Sequence, residues 1–317
     1  MIICCPVTVT KNVQTWSRLM VFAKSVLMVM SWLPLSWSRA MGDVLGWINY
    51  VSRTRICLVS EANIQLCLPE LNEQEQKKLV LASLKNTAQT MMESPAVWLG
   101  KLERTQGWIK EVENEYLLND AMKAGRGVIV LLPHQGNWEM YNVYTASKNR
   151  HMTALYKPPD KDVLKPLMLE IREKYGNELV PTNTRGITTL YKRLKSGGLV
   201  TVLPDQVPKT GKYASFFAQQ ALTDILVSRM LKKTQAAIIC CDIVRQDSGF
   251  IVRFSNVDER IYSTNIDESL IGLNKTIERV ARTALEQYQW GYKRFRKRPA
   301  GLKKIYKFRG AEDQFHF

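Results

Sequence analysis

Histidine is scarce in this chain: three of its 317 residues, His134, His151 and His316. A histidine-rich metal site is therefore excluded, and no H-E-x-x-H pair occurs. The six cysteines (Cys4, Cys5, Cys57, Cys67, Cys240, Cys241) show no C-x-x-C spacing, and two adjacent pairs suit neither zinc nor a disulfide framework. They read as reduced, small apolar residues, with Cys240 and Cys241 in a strand. Also missing are a G-x-S-x-G nucleophile elbow, a P-loop and a complete G-x-G-x-x-G; Gly125-x-Gly127 lacks its third glycine. Serine-nucleophile, nucleotide-dependent and zinc chemistries lose their usual signatures together.

Acid is the other shortage. Lysine and arginine outnumber aspartate and glutamate 45 to 29, a formal net charge of +16. Such a surplus suits an anionic partner: an acidic carrier, a lipid surface, a polyanionic substrate or nucleic acid. Residues 291–310 carry nine basic side chains and no acid, interleaved with aromatics. Beside an apolar N-terminus, that tail fits lipid headgroups or an acidic carrier better than nucleic acid, and no nucleic acid is expected as partner.

The N-terminus holds the longest apolar run. Residues 19–38 contain one charge, Lys24, and are broken by Pro34, with Trp16, Trp32, Trp37 and Trp47 crowded around them. The uncharged part is short for a spanning helix, and tryptophans favour a membrane–water interface. A membrane anchor or interfacial helix is expected over residues 1–45; a cleaved signal peptide and a buried core helix are the rival readings.

The body, residues 46–301, alternates helix and strand, with residues 302–317 as a basic tail. Asn72 as N-cap, with Glu73 and Glu75 as acids in the first turn, predicts a helix to about Met92, and 108–123 reads as amphipathic helix. Strands are expected at 128–132, 152–156, 178–180 and 199–203, and helices at 161–175, 187–195, 221–233 and 265–290. Residues 236–244 and 250–254 form a hairpin around Asp247-Ser248-Gly249. The fold class is α/β, with a mixed, largely parallel sheet flanked by helices.

The strand at 128–132 ends in Pro133, and His134-Gln135-Gly136-Asn137-Trp138-Glu139 follows. Ligand sites in α/β sheets lie at the carboxyl ends of strands. A strand–turn–helix brings Glu139 back toward His134, and a carboxylate on one ring nitrogen raises the basicity of the other. Such a pair takes a proton from a hydroxyl without a metal. The same spacing also fits a loop-capping histidine followed by an ordinary first-turn acid.

Its companions are more specific. His134-x-x-x-x-Glu139, then Leu155-Tyr156-Lys157-Pro158, Arg185-Gly186, Leu203-Pro204-Asp205-Gln206 and Phe216-Phe217 together resemble the late lauroyl- and myristoyl-transferring acyltransferases of lipid A biosynthesis. These sit within the H-x-x-x-x-[DE] lysophospholipid acyltransferase group. Residues 63–70 and 286–299 are similar to that family too, so the resemblance covers about residues 19–301. It implies an acyltransferase fold at the cytoplasmic face of the inner membrane, anchored by the N-terminal helix. It further implies acyl carrier protein as thioester donor, no cofactor, and a hydroxyl of a lipid A precursor as acceptor. His134 would be the general base and Glu139 its orienting acid, with Asn137, Lys157, Arg185, Asp205 and Gln206 facing substrate. From position alone, Lys157 and Arg185 are candidate oxyanion or phosphate donors, or surface cations; Asp205 is a partner for Arg185 or a sugar, or a turn residue.

Three departures from the family pattern bear on the acceptor. Lys157 stands where arginine is usual, giving up the bidentate fork. The asparagine usual shortly afterwards is not evident in residues 159–162, and Ala218 replaces a glycine. The same chemistry on a lysophospholipid, an aminolipid or a mannosylated phosphoinositide is the alternative, and a non-catalytic basic surface-binding protein is the rival of another class.

Overall fold

The computed structural model describes residues 21–156 and 174–308. The first helices are α1 (Val21–Ser31), α2 (Leu35–Val51), α3 (Arg55–Cys67), α4 (Glu73–Leu99) and the short α5 (Leu102–Gln106). Then come β1 (Ile109–Glu113), α6 (Glu115–Lys123), β2 (Val128–Leu131), α7 (Met140–Ser147), β3 (Met152–Tyr156) and β4 (Glu178–Pro181). The chain continues with α8 (Thr184–Lys195), β5 (Leu199–Val202), β6 (Lys212–Phe216), β7 (Gln219–Thr223) and α9 (Leu226–Thr234). It closes with β8 (Ala237–Gln246), β9 (Gly249–Ser255) and α10 (Ile266–Thr283).

Seven strands form one sheet in the order β1-β9-β8-β2-β5-β3-β4, and β6 and β7 make a separate hairpin. β8, β2, β5, β3 and β4 run parallel, while β9 is antiparallel to β8 and carries β1 parallel to itself. The sheet is thus mixed and largely parallel. Strand β2 sits near its middle because all four of its residues are apolar and fully buried. Val128 and Val130 enter the cluster with Leu118, Tyr141, Tyr144 and Phe250, while Ile129 and Leu131 enter the one with Leu190, Leu194 and Met230. Each such side chain contributes roughly 1.5–3 kcal/mol by leaving water. A third cluster, with Leu68, Phe216, Phe217, Trp290 and Phe295, lies where α3 and α4 meet the hairpin and the C-terminal segment.

Several elements depart from expectation. Residues 108–123 are a strand and a helix, not one helix: Asn114 takes a left-handed φ of 54° between them. Ile109–Glu113 is an edge strand, where polar side chains are tolerated. Residues 219–223 belong to the β6–β7 hairpin, so only the second half of the segment expected to be helical forms α9. Helix α10 stops at Thr283 instead of running to 290, and the released chain turns back across the sheet edge. Helix α4 keeps its Asn72–Glu75 capping box and continues through Pro95 to Leu99. The helix expected over 161–175 falls largely outside the described residues.

The N-terminal helices pack as part of the body. Helix α2 crosses residue 45, the expected segment boundary, and its Gly42 and Gly46 lie so close to α4 that an added Cβ would come within 2.5 Å and 2.4 Å of the Gln89 and Lys85 Cα atoms. Its other face presents Trp37, Met41, Val44, Ile48 and Val51 to the outside, all large and exposed. Helix α1, with Val21, Phe22, Val26 and Val29 exposed, meets α2 at a bend of 116°. Among the described residues no single helix is long and apolar enough to cross a membrane. The start of the tail packs on the body: the Tyr306 hydroxyl donates to Asn63 Oδ1 at 2.6 Å and accepts from the Phe295 backbone N–H at 3.1 Å.

Candidate active site

Strands β2 and β5 are parallel neighbours, with Leu131 opposite Val202. Each ends in the same way: Leu132-Pro133-His134 after β2 and Leu203-Pro204-Asp205 after β5. Proline has no N–H for the ladder, so each chain leaves the sheet there. Three residues beyond a paired position on both strands, His134 and Asp205 meet at the carboxyl edge.

The contact is two-pronged. Asp205 Oδ1 lies 2.7 Å from His134 Nδ1, and Oδ2 accepts the His134 backbone N–H at 2.8 Å. Burial pushes the Asp205 carboxyl up, but the His134 ring and the two bonds from that residue outweigh it, and the carboxyl ends below its ordinary range. An ionised carboxylate only accepts, so Nδ1 carries the proton and Nε2 presents its lone pair. That nitrogen faces Gln206, whose Nε2 is 3.1 Å away. The Trp138 ring packs edge-on to the imidazole with centroids 4.8 Å apart. His134 is 9% exposed, at the carboxyl edge of the sheet.

Both ring nitrogens therefore have partners other than Glu139. The carboxylate on His134 Nδ1 is Asp205, where spacing points to Glu139. Glu139 is buried at the start of α7 and accepts from Asn142 Nδ2 at 3.1 Å. The parallel register explains the choice, because it delivers Asp205 directly opposite the histidine. The repeated Leu-Pro-His and Leu-Pro-Asp was the sequence signal for this pairing.

Below the loop lies a buried charged cluster that sequence reading missed. Glu93 of α4, fully buried, accepts from Arg39 Nε at 2.9 Å and from Arg245 Nη2 and Nε at 2.7 and 3.0 Å. Asn137 Nδ2 donates to the same carboxylate at 3.1 Å, so Asn137, expected to face substrate, is turned inward instead. Thr90 donates its hydroxyl to the Gly136 carbonyl at 2.8 Å, and the Gly136 N–H donates to the Gln287 carbonyl at 2.9 Å. Gly136 has a φ of 56°, and a Cβ there would fall 1.8 Å from the Ile243 carbonyl oxygen, so only glycine fits. The chain released from α10 also ties down His134, whose carbonyl accepts the Gln289 N–H at 3.0 Å.

Of the remaining expected residues, Arg185 is exposed in the first turn of α8, on the sheet edge that carries His134 but beyond β5 and β3. Lys157 lies outside the described residues. Phe216 and Phe217 are core residues, stacked edge to face at 4.9 Å. The described cysteines, Cys57, Cys67, Cys240 and Cys241, are free and buried.

The arrangement is a histidine held in one tautomer by a buried aspartate at the carboxyl end of two parallel strands. Known proteins carry it further. The chain is 26% identical over 254 residues to the lipid A biosynthesis palmitoleoyltransferase of Escherichia coli K12, covering 78% of this chain and 81% of that one. It is 22% identical over 286 residues to the lauroyltransferase of lipid A biosynthesis from the same strain, covering 89% and 92%. A phosphatidylinositol mannoside acyltransferase of Mycobacterium tuberculosis is 24% identical over 126 residues, 38% of this chain and 40% of that one. The sequence profile of the bacterial lipid A biosynthesis acyltransferases matches residues 9–297, nearly the whole chain, and the chain belongs to that family.

Proposed function

We propose that the protein moves a fatty acyl group from the thioester of acyl carrier protein to a hydroxyl of a lipid A precursor, at the cytoplasmic face of the inner membrane. The observation that carries the chemistry is the Asp205–His134 contact, which puts the proton on Nδ1 and leaves Nε2, facing Gln206, as the basic nitrogen. His134 Nε2 takes the acceptor hydroxyl proton as the oxygen attacks the thioester carbonyl. The tetrahedral oxyanion collapses, the carbon–sulfur bond breaks, and the departing thiolate recovers the proton from Nε2. Asp205 holds the ring and balances the imidazolium formed between these steps. Glu139, buried in the same loop, acts through its charge, which favours that imidazolium in a poorly solvated site. The thioester supplies the driving force, so no cofactor is required.

Arg185 and Lys157 serve the acceptor's phosphates in this reading, and the exposed basic residues of the C-terminal segment meet the acidic carrier. The outward faces of α1 and α2 rest in the lipid interface. Their exposed tryptophans and aliphatic side chains are suited to the headgroup boundary, and the 116° bend is suited to lying along a surface.

Mass spectrometry of lipid A from cells lacking this protein, and from the same cells given it back, tests the proposal. A gain of one acyl chain on restoration is expected, and no gain with His134→Ala. Unchanged lipid A with an altered lysophospholipid, aminolipid or phosphoinositide mannoside would move the acceptor. A His134→Ala protein that restores the chain as well as the parent would remove the base assignment.

A further inference from the structure

The nitrogen that must receive the acceptor's proton is already engaged by the protein. With Nδ1–H committed to Asp205, His134 Nε2 is an acceptor, so the Gln206 group 3.1 Å away must be its NH2, donating. A side-chain oxygen there would set two lone pairs against each other. Gln206 is half-buried, follows Asp205 directly, and makes no other side-chain hydrogen bond among the described residues. Its backbone neighbour is fixed, since the Val207 N–H donates to the Tyr292 hydroxyl at 3.0 Å. The side chain is thus a short arm on a rigid base, held over the catalytic nitrogen by one neutral hydrogen bond.

We propose that Gln206 is a specificity-determining gate, which covers the base against water and yields to the alcohol acceptor. The inference rests on the reading of His134 as general base. Water and an acceptor hydroxyl present the same O–H to Nε2, and either one, deprotonated, attacks the thioester carbonyl. With the alcohol, the carbon–oxygen bond forms, the carbon–sulfur bond breaks, and the thiolate takes the proton from His134. With water, the same sequence yields a free fatty acid and wastes the donor. An uncovered base beside a bound thioester therefore invites hydrolysis. Gln206 fills the hydrogen-bonding position a water would take, and a bulky acceptor has contact area along the arm with which to displace it, whereas a water has not. The exchange replaces N–H···N by O–H···N, so it is nearly balanced once the acceptor is seated.

The test uses the full-length protein with lauroyl–acyl carrier protein, scoring free laurate and acylated lipid separately, with and without extracted lipid A precursor. For Gln206→Ala, the ratio of hydrolysis to transfer is expected to rise by about fivefold, the weight of one neutral hydrogen bond. Gln206→Asn withdraws the amide by one methylene and should move the ratio the same way. Adding His134→Ala to Gln206→Ala should abolish both products. Equal loss of hydrolysis and transfer, or an unchanged ratio in a variant with unaltered thermal unfolding, would overturn the gate while leaving the base intact. Transfer that survives His134→Ala would instead overturn the base reading itself. If Gln206→Ala proves unstable, Gln206→Asn supplies the same ratio.

Discussion

Two buried carboxylates hold the loop that carries His134, and they differ in what faces them. Asp205 meets an imidazole, whose second ring nitrogen keeps a lone pair. Glu93 meets two guanidinium groups, Arg39 and Arg245, which offer only N–H donors. Both carboxylates are almost fully shielded from water, so both need their partners. In the proposed reaction the first pair exchanges a proton with the substrate; the second holds Asn137 of the strand–turn–helix connection. Burial and charge pairing are alike at the two sites, and the titratable partner is what separates chemistry from architecture.

Asp205→Asn attacks that contrast most strongly. It removes the charge that fixes the His134 tautomer while keeping the shape. Acyl transfer is expected to fall by about 10³- to 10⁴-fold, in the range seen when a triad aspartate becomes asparagine. Thermal unfolding should move only slightly. If this variant unfolds while His134→Ala stays folded, Asp205 is structural and the contrast collapses.

Glu93→Ala tests the other half. It leaves Arg39 and Arg245 buried without their counter-charge, and loss of one partner from a buried ion pair costs about 3–5 kcal/mol. Urea denaturation should show that loss, with any remaining folded fraction less active in proportion. A destabilisation under about 1 kcal/mol would mean that the cluster is hydrated and does not hold the loop.

The smallest expected effect lies in acid. The folded Asp205 carboxyl sits below its ordinary value, so its contribution to stability is complete above the unfolded aspartate value of about 3.9. That contribution is lost as pH falls through the folded value. Unfolding of the parent and of Asp205→Asn, followed from neutrality downward, should therefore converge below about pH 4. A gap that widens on acidification would reverse the sign assigned to this carboxyl.

How much of this was legible beforehand follows from the kind of interaction involved. Val128–Leu131 announced itself because a strand buried on both faces must be apolar throughout. His134 was visible because it follows that strand and a proline. The β1 strand, Ile-Lys-Glu-Val-Glu, was hidden by its edge position, where charges are permitted. The β6–β7 hairpin was obscured because Ala221 and Leu222 also suit a helix, and tertiary pairing decided between them. The Arg39–Glu93–Arg245 cluster joins residues 54 and 152 positions apart, and no local pattern marks such a contact. Asp205 reads from position as a partner for Arg185 or a sugar, or as a turn residue, and spacing along the chain pairs His134 with Glu139; only register across the sheet brings Asp205 to the histidine.

Helix α2 has one further property. Its outer face is a row of large apolar side chains, and its inner face carries Arg39, which joins Glu93 and the carbonyls of Gln246, Asp247 and Gly249. Glu93 in turn holds Asn137, three residues from the base. These contacts run from the inner face of α2 to the loop that carries His134, and Gly42 and Gly46 leave no slack against α4. Helix α2 and the loop are thus joined through buried charge, so that in the proposed reaction whatever surface α2 rests on also sets the height and tilt of His134.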